Sequence, residues 1–114
     1  MVNTKKYGNC GEDIAAEFLK KSGYRIIERN YRRKCGEIDI IAAKAGVCYF
    51  IEVKAKHDTG FSTPADNVNY RKRRHIADAA MIWLAENGDM LTGFLVAEVN
   101  LTTGKVELIE DFLL

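Results

Sequence analysis

With 114 residues, 47% of them apolar and 29% charged, the chain has room for one hydrophobic core and the composition of an ordinary globular domain. No stretch approaches the roughly 18 apolar residues of a membrane helix, and Met1-Val2-Asn3-Thr4-Lys5-Lys6 lacks the apolar run of a secretory signal behind it. The net charge of +1 and three widely spaced cysteines, Cys10, Cys35 and Cys48, argue against a zinc site or a disulfide framework and for a reduced, cytoplasmic protein without a membrane partner.

Residues 1–6 read as a loose tail on a single domain spanning 1–114. Tyr7 to Ser22 is expected to be a helix with Ile14, Ala15, Phe18 and Leu19 as its apolar stripe, Gly11 between them, and Gly23 as its stop. Glu12 lies roughly 20° from Leu19 on the helical wheel, at the border of that stripe. It either faces into the fold or serves as a stabilising charge in the first turn. Tyr24 to Glu28 is a short strand. Arg29-Asn30-Tyr31-Arg32-Arg33-Lys34 follows, an Arg/Tyr mixture that can grip phosphates and stack on bases or form a solvated loop. Asn30 also suits a turn, where its side chain satisfies local backbone groups.

Cys35 to Lys56 contains two apolar, β-branched runs around the turn Ala43-Lys44-Ala45-Gly46, which predicts a hairpin. Side chains alternate along a strand, so Glu37 shares a face with Asp39, and Glu52 with Lys54. With that turn Asp39 opposes Phe50, Glu52 lies diagonally across, and all four charged groups converge. Carboxylates gathered this way repel one another unless a cation joins them. Mg²⁺ or Mn²⁺ with oxygen ligands and a phosphodiester above it would complete such a site.

A loop containing Gly60 and Pro64 follows, its length near ten residues hinting at function. Lys56 extends the Glu52–Lys54 face, and His57 is a candidate for proton transfer. A second helix begins between Pro64 and Val68, with Thr63 as its cap, and runs to about Asn87. Its core stripe is Ile76, Ala79, Ala80, Trp83 and Leu84, and its N-terminal half carries Arg71-Lys72-Arg73-Arg74-His75. Gly93 to Leu101 is a strand, Thr102-Thr103-Gly104 a turn, and Lys105 to Ile109 the return. The elements predict an α/β fold with a mixed sheet of about five strands flanked by two main helices.

Charge is unevenly spread. Arg25 to His75 holds 12 Lys/Arg and 6 Asp/Glu, whereas Ile76 to the end holds one Lys and seven acids. A basic rim around an acidic centre suits a polyanion held over a metal.

Gly36-Glu37-Ile38-Asp39, a hairpin, then Phe50-Ile51-Glu52-Val53-Lys54 resembles the PD-(D/E)xK nuclease superfamily. More closely, the chain resembles that superfamily's small bacterial UPF0102, or YraN-like, branch, through Gly11-Glu12, Gly23-Tyr24, Arg29-Asn30-Tyr31-Arg32, Val68, Lys72, Ala79-Ala80 and Trp83-Leu84. It is also similar in arrangement to archaeal Holliday-junction resolvases. The resemblance implies a restriction-endonuclease-like core and a divalent-metal-dependent nuclease. Asp39 and Glu52 would ligate Mg²⁺ or Mn²⁺ with the main-chain carbonyl of Val53, Glu12 would complete the metal environment, and Lys54 would handle the attacking water. Glu37 would orient the site or bind an arginine. Arg29, Tyr31, Arg32, Arg33, Lys56, Arg71, Lys72 and Arg74 would contact nucleic acid, DNA more than RNA, and cutting two strands would favour a homodimer. Gly93-Phe94-Leu95 departs from the Arg-Phe-Asp that relatives often carry there. Two other classes fit the sequence: a nucleic-acid-binding module without chemistry, and a protein-interaction adaptor using the acidic last third with Phe112, Leu113 and Leu114 as its apolar tip.

Overall fold

The computed structural model describes residues 10–57 and 70–111. The 1–6 tail, the helix start at Tyr7, the Gly60–Pro64 loop, the Thr63 cap and the Phe112-Leu113-Leu114 tip lie outside the described residues.

Helix α1 spans Cys10–Lys21, with Glu12 and Asp13 in its first turn and Lys20 and Lys21 in its last, each favourable to the helix dipole. It closes as a Schellman motif. Gly23, at φ 92°, donates its N–H to the Lys20 carbonyl at 3.1 Å, and Tyr24 donates to Leu19 at 2.9 Å. The helix buries Gly11, Glu12, Ala15, Ala16 and Leu19. The inward face is thus rotated from the expected stripe: Ala16 goes in, while Ile14 and Phe18 stay half-buried. Gly11 explains the rotation, because a Cβ there would overlap the Ala55 side chain. The closest approach of helix to sheet passes through the glycine.

Five strands follow: β1 (Arg25–Arg33), β2 (Gly36–Lys44), β3 (Val47–Lys56), β4 (Leu91–Asn100) and β5 (Val106–Asp111), with helix α2 (Tyr70–Asn87) between β3 and β4. They form one mixed sheet in the order β1-β2-β3-β4-β5, antiparallel throughout except for the parallel β3–β4 pair. That parallel step needs a long crossover, which α2 supplies. The chain is therefore an α/β fold with one helix on each face of a five-stranded sheet.

Alternation along β3 and β4 builds the two cores. Cys48, Phe50, Phe94 and Val96 pack against Ile76, Ala79, Ala80 and Trp83 of α2. The Phe50 and Trp83 rings meet edge to face at 5.9 Å. Ile51, Leu95, Ala97 and Val99 pack against Ala15, Ala16 and Leu19 of α1. Gly36 lets α2 press onto β2, since a Cβ there would strike the His75 backbone.

Two local expectations are corrected. The β2–β3 turn has two residues, Ala45 (φ 51°) and Gly46 (φ 81°), with Lys44 paired to Val47. Both central residues being left-handed is the hairpin geometry that matches strand twist. Strand β1 continues to Arg33 instead of ending at Glu28, because an edge strand can keep its arginines in water while its backbone pairs. The Tyr49 ring, directly paired with Gly93, lies where a Cβ on that glycine would come within 2.8 Å.

Candidate functional site

The site sits where β1, β2 and β3 run side by side under the N-terminal ends of both described helices. The register that pairs Ile40 with Ile51 brings Asp39 level with Glu52 rather than with Phe50. The difference is two residues, so the facing relation is preserved. Asp39 accepts the Val53 backbone N–H at 2.8 Å. Burial first, then the neighbouring Glu52 carboxylate, pushes the Asp39 carboxyl up to about 7, against the lowering effect of the Val53 bond. Glu52 is only 6% exposed, and its carboxylate is held by the Lys72 ammonium of α2 at 2.5 Å.

Lys54 lies two residues beyond Glu52 on β3. Its Nζ is buried and has no hydrogen-bond partner among the described residues. Burial and the nearby Lys72 cation lower its pKa from the usual lysine value. A buried ammonium without a hydrogen bond is expensive, and here the Glu52 and Glu98 carboxylates offset part of that cost. A recess of about 330 Å³ opens beside it, lined by Lys54, Lys56, His57, Glu98 and Glu107 among others.

Glu12, 7% exposed, enters from α1. It accepts Asn30 Nδ2 at 2.9 Å and Arg29 Nε at 3.2 Å, and Arg29 also reaches Asp13 at 2.7 Å. Asn30 has φ 56°, a left-handed backbone that asparagine tolerates better than most residues. The pairs Arg29–Ile40 and Tyr31–Ile38 place Asn30 across from Asp39. Alternation breaks at this rung. Ile38 joins the α2 core and Ile40, two residues on, joins the α1 core. The backbone irregularity thus aims Asp39. Sequence reading assigned Asn30 a local turn role and missed its bond to Glu12; a lone Asn in a basic run is the one available signal.

The structure therefore brings Glu12, Asp39, Glu52, Lys54 and Lys72 to one place. It does not bring Glu37, which is exposed and bridges Arg32 across the ladder at 3.2 Å. That corrects the expected four-charge convergence, and the broken alternation is the reason. Tyr31 is buried, with its hydroxyl on Glu86 at 2.7 Å, so its ring is closed to a stacking base. Arg33 lies over that ring and chelates Glu86 at 3.0 and 3.1 Å. Arg29 is engaged by the two α1 acids. Arg32, Lys56, Arg71 and Arg74 are exposed, Arg74 beside Asp78 at 3.7 Å.

Hard carboxylate oxygens of Asp39 and Glu52, brought close by the Val53 bond, fit a divalent cation such as Mg²⁺ or Mn²⁺. Among the described residues no three Asp, Glu, His or Cys side chains form a ready-made cage. The fit rests on two carboxylates and main-chain oxygen, with water for the rest.

Comparison with known proteins gives the chain a family. The family model described as "Uncharacterised protein family UPF0102" matches residues 11–109. A UPF0102 protein of Symbiobacterium thermophilum is 46% identical over 85 residues, covering 75% of this chain and 72% of its own. One of Alkaliphilus metalliredigens is 41% identical over 85 residues, covering 75% of each chain. A third, of Nocardia farcinica, is 46% identical over 79 residues, and the match covers 69% of this chain and 62% of the relative. The match takes in every residue of the site, from Glu12 to Lys72, and the chain belongs to the UPF0102 family.

Proposed function

We propose that this domain is a nuclease of the PD-(D/E)xK type that hydrolyses phosphodiester bonds with Mg²⁺ or Mn²⁺, acting in the cytoplasm on DNA, branched or structured forms included. One observation carries the reading: Asp39, next to the Ile40–Ile51 pair, is bonded to the peptide that follows Glu52, and the buried Lys54 Nζ beside them has no hydrogen-bond partner among the described residues.

Asp39, Glu52 and the Val53 carbonyl would hold the metal, with Glu12 completing its environment directly or through water. Once bound, the metal polarises the scissile phosphate and lowers the pKa of a water. Asp39 is fixed for this task by the Val53 N–H. Lys54, held on a strand with its Nζ out of bulk water, orients the attacking water and stabilises the charge that develops on phosphorus. Arg32, Lys56, Arg71 and Arg74, exposed around the site, neutralise backbone phosphates. Cutting both strands of a duplex would use two copies of the domain.

The Lys72–Glu52 ion pair favours one competing reading, a binding module in which a lysine has taken the cation's place. Calorimetric titration of Mn²⁺ into the wild type and Asp39→Ala separates the two, followed by a cleavage screen over duplex, single-stranded and branched DNA. Binding and cutting that vanish together in Asp39→Ala support the nuclease. Nucleic-acid affinity untouched by Asp39→Ala, with no cutting and no metal binding, establishes the binding module.

A further inference from the structure

Among the described residues, two acids are buried, and they are neutralised in different ways. Glu12 is held from within the fold. Arg29 and Asn30 lie on β1, and Asn30 is fixed by its backbone. Glu52 is held from outside. Lys72 stands on the surface of α2 with its side chain 48% exposed, and only its head reaches the 7% exposed Glu52 side chain. A lysine is a flexible point charge on a four-carbon stem. Rotation about that stem can carry its head away from Glu52 while its backbone stays in the helix.

Lys54 cannot play that part. It is rooted on β3 beside Glu52, and its ammonium is already buried. The two lysines therefore differ in kind: one is built into the site, and one leans into it. Their like charges also oppose each other, with Lys72 among the groups that lower the pKa of Lys54. A phosphate arriving above the site would meet the more exposed Lys72 ammonium. Lys72 can bridge Glu52 or a phosphate oxygen, and a single ammonium on one stem cannot serve both fully.

We infer that Lys72 is a tethered competitor for the cation position on Glu52, and that a phosphodiester drawing Lys72 away opens that position to the metal. The inference rests on the metal-dependent reading proposed above. It makes nucleic acid and metal reinforce each other's binding, by the same factor in both directions. It also makes the free protein a weak metal binder, which holds back the hydrolytic centre until a polyanion is in place.

The test is calorimetric titration of Mn²⁺ into the full chain as wild type, Lys72→Met and Lys72→Arg, each with thermal melting as a check on folding. Each is titrated alone and again with a short phosphorothioate duplex, previously shown by anisotropy to bind. Without DNA, Lys72→Met should bind Mn²⁺ more tightly than the wild type by about fivefold or more, and Lys72→Arg should return to the wild-type value. The duplex should tighten Mn²⁺ binding to the wild type and leave Lys72→Met nearly unchanged. Equal or weaker Mn²⁺ binding by a folded Lys72→Met overturns the inference. If the wild-type affinity is meanwhile lost in Asp39→Ala, the nuclease reading survives that result. Absence of Mn²⁺ binding in every variant, with and without duplex, overturns both.

Discussion

The Asp39 carboxylate accepts the backbone N–H of Val53, the residue immediately after Glu52. One acid of the pair is therefore tied to the peptide that carries the other. The bond fixes the Asp39 carboxylate against the β3 main chain, while the Glu52 carboxylate is held by Lys72.

That tie holds the two acids together against their repulsion, and stability should show it. The Asp39 carboxyl titrates at about 7 in the fold and at 3.8 when unperturbed. Between those values the folded state binds the extra proton, so the Asp39 contribution to metal-free stability falls as pH rises through the window and is flat on either side. In EDTA, the wild-type melting temperature should decline from pH 4 to pH 7. Asp39→Asn keeps an acceptor for Val53 and should lose that decline, becoming the more stable protein at pH 8. Parallel curves for the two proteins would sink the assignment.

Tyr31 tests where the nucleic-acid surface ends. Its hydroxyl bonds Glu86 from a buried ring. Tyr31→Phe should cost about 1 kcal/mol in urea unfolding and leave DNA affinity unchanged. Arg32→Ala, at a side chain 71% exposed, should weaken DNA binding and shallow its salt dependence. A large affinity loss in a stably folded Tyr31→Phe would show that the ring opens to substrate.

Asn30 combines a left-handed backbone with a bond to Glu12. Asn30→Gly keeps the backbone and loses the bond, whereas Asn30→Ala loses the bond and adds strain of about 1 kcal/mol or more. Alanine should therefore be the more destabilising of the two in chemical denaturation. The reverse order would mean that chain entropy outweighs strain at this rung.

Gly93 and Tyr49 should behave as one unit. Gly93→Ala places a methyl within 2.8 Å of the Tyr49 ring and should cost about 1–3 kcal/mol by overpacking. In a Tyr49→Val background the same change should cost clearly less. Additive effects in the double-mutant cycle would break the proposed pairing.

Much of this layout was legible because the hairpin announces itself. β-Branched residues flank Ala45-Gly46, and Glu52-Val53-Lys54 keeps its spacing on a strand whatever the turn length. Expecting a four-residue turn moved the register by two, which left Asp39 and Glu52 on the same side. Glu37 was misplaced for a different reason. Strict alternation assumes regular backbone, and the left-handed residue at Asn30 is a tertiary fact that composition does not announce. Arg29 to Arg33 read as a loop because charge usually marks solvent, yet on an edge strand a basic stretch can pair its backbone and still bury Tyr31. The role of Lys72 at Glu52 depended on where α2 crosses the sheet, which no local pattern specifies.

The sheet runs in chain order, and that has a consequence for assembly. The strands of Asp39 and Glu52 are joined by a two-residue turn, whereas α2, whose Lys72 covers Glu52, belongs to the long crossover that follows β3. Closing a short loop loses little entropy, so the hairpin is the early event. The two acids then meet while still hydrated, and their burial comes late. If so, at pH 8 Asp39→Asn should fold at nearly the wild-type rate and unfold more slowly, a split that stopped-flow chevrons would read directly; a change confined to the folding arm would place the desolvation of the acids at the start of folding instead.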